Sequence, residues 1–537
     1  MLPKSYDYIV VGAGSAGCVL ANRLSEDGNA RVLLLEAGGR DTHPFIHIPL
    51  GLGSMHKHRM FDWGYDGEPE PELNGRRIEA MRGKVLGGSS SINVMAFTRG
   101  AAGDYDRWAL GGARGWSYAE VLPYFKRVET WEGGESRWRG GSGPVGVEWA
   151  KTRDPLYDAW IEAAKAAGYK HTADYNGAEA EGFGRGQYSI RNGYRSSAAN
   201  AYLKPARGRR NLTIETGALV TRVVLEGTRA CGVEYVVGGA TKRVMATSEV
   251  ILSGGTFNSP QVLMLSGIGP ADHLHEIGIA PVIDLPVGYN LQDHWAVQLM
   301  YARNLPGPFR AAMRFDRMAL SMIEAYLFGS GAATVVPGGL HAFIKSDVGL
   351  EVPDIEFMFR GAPMHAHLWL PPFKRAYADG FGIRPAILHP QSRGRVTLRS
   401  SDPRAHPRIL FNALSAPNDL RKLREGVARA RDVALQKPMD PYRGLETAPG
   451  PDTKSAADID AWIRKATQTV HHPTGTCAMG SGTNSVLDPE LHVRGVEHLR
   501  VVDASAMPDM ISAHTNACVL MMAEKAADLI RGRTPLM

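Results

Sequence analysis

Two adjacent histidines, His471 and His472, stand before a proline in "QTVHHPTGTCAMG" towards the end of the chain. An imidazole can ligate a metal, take up a proton near neutral pH, or sit hydrogen-bonded in a loop. A metal site needs further ligands at fixed geometry, and this pair has no H-x-x-x-H or H-E-x-x-H pattern around it. Zinc is therefore a poor reading, and no metal is expected. Side chains that are neighbours on an extended segment point to opposite faces. Pro473 biases the residue before it towards extended backbone, which helps to fix the direction of His472. His471 is then expected to point away, as a supporting residue or a pocket wall. A proton-accepting His472 and an ordinary polar loop both stay open on these residues alone.

A second chemistry sits at the other end of the chain. In "DYIVVGAGSAGCVLANRL" a short β-branched run, Tyr8 to Val11, reads as a buried strand. Gly12, Gly14 and Gly17 follow in the G-x-G-x-x-G pattern, with Ser15 and Ala16 between the last two, and helical spacing runs on from Cys18 to Leu24. The run "ARVLLLEAG" predicts a second buried strand ending at Glu36, with Ala37 after it as a further candidate at the cofactor. Gly12 permits a tight turn, Gly14 lets backbone approach a pyrophosphate, and Gly17 lets helix pack on strand. The free N–H groups at the helix start favour phosphate. Glu36 lies where an acid can accept from ribose hydroxyls. Together these elements predict a dinucleotide site, without deciding between NAD and FAD.

"MRGKVLGGSSSINVMAFTRG", Met81 to Gly100, holds a further glycine pair, Gly87 and Gly88, between the basic Arg82 and Lys84 and a serine run that starts at Ser89. Its apolar flanks suggest a buried loop, and buried backbone polar groups need partners. A bound cofactor would supply them. This run resembles the flavin-contacting segment of the glucose–methanol–choline (GMC) oxidoreductases. "GGTFNSPQVLMLSGIGP" from Gly254, "PVGYNLQDH" from Pro286, "PQSRGRVTLRSSDP" from Pro390, "VVDASAMPDM" and "AEKAADLI" resemble further segments of that family, in order, over nearly the whole chain. Within it the chain looks most like the bacterial FAD-dependent alcohol dehydrogenases.

The resemblance implies an α/β fold. A Rossmann-type FAD-binding domain would be assembled from about 1–150, 205–300 and 465–537, and a substrate domain, an antiparallel sheet backed by helices, from 151–204 and 301–464. A chain of 537 residues is too long for one core in any case. FAD is the implied cofactor. Arg82, Gly87, Gly88, Ser89, Asn93, Val94, Val220, Gly254, Asp503, Ala504, Thr515 and Asn516 are implied to join the first glycine loop in holding it. Asp503 at a strand end could bind ribityl hydroxyls or cap the next helix. Some relatives tether the flavin through a histidine directly before the asparagine. Ile92 stands there and cannot form that bond, so FAD is expected to be non-covalent.

His472 corresponds to the family's catalytic histidine, and His514, counted back from Glu524, to its second catalytic position. The implied reaction is oxidation of an alcohol, primary or sugar-type, to the aldehyde. Hydride goes to flavin N5 while an imidazole takes the hydroxyl proton. Two imidazoles near one oxygen couple their titrations. The helix expected from about Ala517 to Arg531 would turn its positive end to the flavin. Electrons are expected to pass to a non-oxygen acceptor, a quinone or another carrier. An oxidase that makes hydrogen peroxide is the chief rival, since Val470 leaves modest room for oxygen. A flavin binder without catalysis and a cyanohydrin lyase are weaker rivals.

The remaining chain narrows the partners. Hydrophobic residues make up 44% and charged ones 22%, with a net charge of +6. No dense Lys/Arg block tracks a phosphate backbone, so nucleic acid is not an expected partner. Four scattered cysteines without a CxxC pair argue against disulfides and favour a reducing compartment. No leader and no run of about 18 apolar residues is evident, so a cytoplasmic location is expected. "FRAAMRFDRMALSMIEAYLFGSG" reads as a core helix, with an access lid or a membrane-surface face as alternatives. "PMHAHLWLPPFKRAYADG" reads as a loop suited to specificity.

Overall fold

The computed structural model describes residues 5–536. The predicted opening unit is present: strand Ser5–Val11, helix Ser15–Leu24 and strand Val32–Glu36. The strands Ala240–Leu252, Ser5–Val11, Val32–Glu36 and Leu212–Thr216 lie side by side and parallel. Leu499–Val501 joins Ala240–Leu252, also in parallel. The antiparallel strands Arg229–Val237 and Leu219–Glu226 extend the sheet beyond Ala240–Leu252. Val32 to Glu36 is buried throughout, as expected of a strand covered on both faces.

The second sheet is antiparallel. Its order is Arg443–Ala448, Leu299–Arg303, Gly380–Ile387, Ile355–Arg360, Gly338–Ile344 and Gly182–Arg185. Alternation along Ile355–Arg360 and Gly380–Ile387 sends Ile355, Phe357, Phe359, Phe381 and Ile383 into one apolar core. Leu423, Val427 and Ala430, one stripe of helix Pro417–Leu435, fill the same core. Glu356, Met358 and Arg384 fall on the opposite face by the same alternation.

Two large cores hold the chain. One takes residues from 6–35, 105–147, 198–287 and 477–527; the other takes 156–183 and 291–463. Tyr65, Leu73, Ile78 and Ala80 also pack in the second core, although they lie in the stretch expected to belong to the FAD-binding domain. Core membership thus changes within 1–150.

The last helix, Thr515–Ile530, is buried almost all round and packs on the first, Ser15–Leu24. Buried Glu524 locks them together. It accepts from Arg23 Nε at 2.9 Å and Nη2 at 2.8 Å, and from the Tyr202 hydroxyl at 2.8 Å, with Arg127 Nε at 2.9 Å. A buried carboxylate so paired is strongly destabilising to disrupt. This lock brings the N-terminus of the last helix to the glycine loop, where Ser15 Oγ donates to Asn516 Oδ1 at 2.7 Å.

One expectation fails here. "FRAAMRFDRMALSMIEAYLFGSG" is not a core helix. It forms two helices, Pro308–Ala312 and Phe315–Phe328, and in the longer one only Met318, Ser321 and Ala325 are buried. Leu320, Ile323, Leu327 and Phe328 are between 57% and 75% exposed. The apolar stripe predicted from sequence is real, but it is wider than the narrow surface the fold offers it. No helix among the described residues is long and apolar enough to cross a membrane.

Candidate active site

The glycine loop leaves no room for a Cβ at Gly12 or Gly17. Gly12 has φ +96°, and a Cβ there would lie 2.6 Å from the Ser253 carbonyl oxygen. A Cβ on Gly17 would lie 1.8 Å from the Gly12 oxygen, which is the close helix–strand approach expected of it. Gly14 caps helix Ser15–Leu24 without any side-chain hydrogen bond, so the first-turn N–H groups stay free for a phosphate. Glu36 accepts from Ala13 N at 2.8 Å and Gly38 N at 2.7 Å, which fixes the carboxylate at the strand end. Burial pushes its carboxyl up to about 7 against those two bonds.

One cavity runs from this loop to the histidines. Gly12, Gly14, Ser15, Ala16, Glu36, Ala37, Arg82, Gly88, Ser89, Asn93, Val94, Val220, Gly254, Asp503, Ala504, His514, Thr515 and Asn516 line it, as does His472. Gly17 and Gly87, also expected to contact the cofactor, do not. Gly17 is taken up by helix packing, and Gly87 is turned to donate its N–H to the Ala13 oxygen at 2.7 Å. Asp503 lines the cavity and also caps the turn that follows it. Its oxygens accept from Ser505 N, Ser505 Oγ, Ser259 Oγ and Gly255 N at 2.6–2.9 Å.

His471 does not turn away. Its backbone is left-handed, with φ +65°, and its N–H donates to Thr469 Oγ1 at 2.7 Å. The alternation argument holds only for extended backbone, and this bend lets His471 and His472 line the same cavity. Asp293 steadies the bend. It accepts from the His472 N–H at 2.9 Å and from the Thr469 hydroxyl.

The protonation of His472 is set from behind. His294 Nε2 lies 3.0 Å from the Leu388 oxygen and 3.2 Å from the Ile511 oxygen. Carbonyls only accept, so Nε2 carries the hydrogen. Burial pushes this imidazole down to about 3, so the ring is neutral and its lone pair is on Nδ1. That atom is 2.9 Å from His472 Nδ1, which must therefore donate. The lone pair of His472 is left on Nε2. Burial, followed by the nearby His514 and His294 rings, holds His472 well below the usual imidazole range. His472 is thus unprotonated at neutral pH.

His514 is held differently. It is the N-cap residue of the last helix, its N–H donates to Thr98 Oγ1 at 2.7 Å, and its ring centroid is 4.6 Å from that of His472. Its Nε2 lies 2.9 Å from Glu356 Oε1, and His341 Nδ1 lies 2.7 Å from the same oxygen. Burial pushes the Glu356 carboxyl up, but His514 and His341 outweigh it and hold the group far below the usual range. His341, Glu356 and His514 gather three metal-ligating atoms within 4.8 Å. Those atoms are already hydrogen-bonded to one another.

Sequence reading missed His294, Asp293, His341 and Glu356 as site residues. "PVGYNLQDH" contains two of them, but nothing in the string points them at His472. In "PDIEFMF" the second of two acids, Glu356, interrupts the apolar strand Ile355–Arg360, which was a usable signal.

A parallel nucleotide-binding sheet joined to an antiparallel one over paired imidazoles is the architecture of a flavin-dependent oxidoreductase. Family models described as GMC oxidoreductase match residues 6–296 and 390–523. An oxygen-dependent choline dehydrogenase of Rhizobium rhizogenes is 45% identical over 533 residues, 99% of this chain and 96% of the relative. One of Photobacterium profundum is 43% identical, covering 99% and 94%. Among solved structures, pyridoxine 4-oxidase from Mesorbium loti superposes with a TM-score of 0.88 at 32% identity, covering 98% and 99%. A formate oxidase of Aspergillus oryzae gives 0.89 at 26%, covering 99% of each chain. The chain belongs to the GMC oxidoreductase family. It is an FAD-dependent oxidoreductase acting on alcohols.

Proposed function

We propose that the protein oxidises a primary alcohol to the aldehyde, with His472 as base and His514 as its partner, and hands the electrons to a carrier other than oxygen. The observation that carries this reading is the chain Leu388 and Ile511 carbonyls, His294, His472, which leaves one unprotonated nitrogen at the cavity. Bound FAD supplies the hydride acceptor. The residues lining the cavity fit it: unfilled helix N–H groups for phosphate, Glu36 for ribose, and glycines where a Cβ would fill the space. Ile92 offers no nucleophile, so the flavin is held without a covalent bond.

His472 Nε2 removes the hydroxyl proton, since an un-ionised alcohol is a poor hydride donor. His514, fastened to Glu356 through Nε2, stands beside the base and shapes the space in which the alcohol is held.

The test is anaerobic mixing of the yellow protein with a panel of alcohols. Primary alcohols are expected to bleach the flavin, and acid precipitation to release all of it. Flavin that no alcohol bleaches would sink the reading. On readmission of air, peroxide matching the aldehyde formed would make the protein an oxidase instead.

The partner behind the base has its own test. His294→Leu removes the acceptor from His472 Nδ1, and flavin reduction is expected to slow about ten- to a hundredfold. His294→Asn, which keeps an acceptor, should recover much of that loss. Equal rates in the two variants would show that His294 only fills space.

A further inference from the structure

Half of the large apolar side chains exposed among the described residues lie in two segments, Phe315–Phe328 and 363–373. Exposed apolar residues are ordinary when scattered singly, whereas a cluster marks a surface that meets something apolar. In the helix, Met318, Ser321 and Ala325 form the buried stripe. Leu320, Ile323 and Leu327 repeat that spacing two residues on, about 200° round the helix. They therefore point away from the core, and they are 57% to 69% exposed.

The second segment is fastened to the first. The Phe315 N–H donates to the Trp369 oxygen at 2.8 Å, and Trp369 Nε1 donates to the Arg310 oxygen at 3.0 Å. Leu370 and Lys374 exchange backbone hydrogen bonds at 2.9 and 3.0 Å, which closes a tight turn through Pro371, Pro372 and Phe373. Phe373 stands on that turn 87% exposed. No residue of either segment lines the cavity.

The charge of this surface selects what covers it. Residues 308–328 and 363–378 carry five Lys and Arg against two acids. Both acids are engaged: Asp316 pairs with Arg314 at 2.9 Å, and Glu324 accepts from the Ser330 hydroxyl at 2.8 Å. Arg317, Lys374 and Arg375 are exposed beside the apolar side chains. An outward apolar stripe edged by cations matches the boundary of an anionic bilayer, with leucine and phenylalanine among acyl chains and cations at the phosphates. A second copy of the chain would instead bring the same cations together across a two-fold seam.

We propose that the protein docks by this face on a bilayer containing anionic lipid, lying on the surface without crossing it. The proposal goes beyond the alcohol-oxidising reading and holds whatever the substrate.

The experiment floats the holoenzyme with vesicles of phosphatidylcholine, alone or with phosphatidylglycerol added. Binding is expected to the anionic vesicles, to be far weaker to the neutral ones, and to weaken with salt. Net charge alone could produce that pattern, so an apolar variant decides. Leu327→Gln combined with Phe373→Ser leaves the charge intact and should raise the Kd for anionic vesicles at least about tenfold. Leu110→Gln, which removes a leucine 90% exposed elsewhere, should leave it unchanged. Flavin content and Tm equal to wild type confirm that each variant folds. Absence of binding to anionic vesicles, or equal binding by the paired variant, would overturn the proposal. So would light scattering that shows a dimer which the paired variant converts to monomer, since the face would then belong to a second copy.

Discussion

His472→Ala is expected to slow flavin reduction by about two to four decades, the usual contribution of a positioned general base. The loss should appear in the rate of reduction at saturating alcohol, because the ring acts on the proton in flight and does little for binding. Two features of the structure make the effect large. Asp293 holds the backbone N–H of His472 and His294 holds its ring at Nδ1, so the base is placed before the alcohol arrives. The ring also stays unprotonated, since burial holds it well below its ordinary value of about 6.5. In the wild type, reduction should therefore hold its rate as pH falls through 6.5 and drop only below that. His471→Ala, altering the neighbouring wall, should cost far less. Stopped-flow reduction under argon measures all three. A His472→Ala protein that reduces within a factor of a few of wild type would remove the base from the mechanism.

Gly17→Ala is expected to yield protein without yellow colour. The added Cβ would sit 1.8 Å from the Gly12 oxygen and 3.0 Å from the Gly12 carbon, both of them backbone. Gly12 has nowhere to retreat. It occupies φ +96° with the Ser253 oxygen behind it, so the turn can only spread. Spreading moves the N–H groups that face the phosphates. Gly53→Ala is the control, because a Cβ there meets nothing within 4 Å and the residue lies inside helix Leu52–Lys57. That variant should bind flavin fully and gain up to about 1 kcal/mol from helix propensity. The ratio of flavin to protein absorbance after purification, together with Tm, separates the two outcomes. Full flavin content in Gly17→Ala would mean that the loop tolerates a side chain and is not the tight turn described.

The opening strand, glycine turn, helix and acid were legible because each acts on residues within one short βαβ unit. A glycine is required wherever backbone meets backbone, and the spacing of three such points is written in consecutive residues. Resemblance then carried the family and FAD. The backbone at His471 was not legible, because local preference favours extended residues before a proline and says little about the residue one earlier. A hydrogen bond to Thr469, itself held by Asp293, bends it instead. The stripe on Phe315–Phe328 was read correctly as apolar and wrongly as core, since periodicity shows which face is apolar and not what lies opposite.

The sequence by itself determined the opening strand, glycine turn and helix and the presence of a histidine before Pro473, while the two-part fold came through the resemblance. Only the tertiary structure decided which nitrogen of that histidine is free, and which charges surround it. His294 meets His472 across 178 residues, and Glu356 meets His514 across 158. The first pairing flanks two strands joined within the second sheet and the second brings that sheet against the start of the last helix, and a proton's place on a ring depends on acceptors that only such packing brings near.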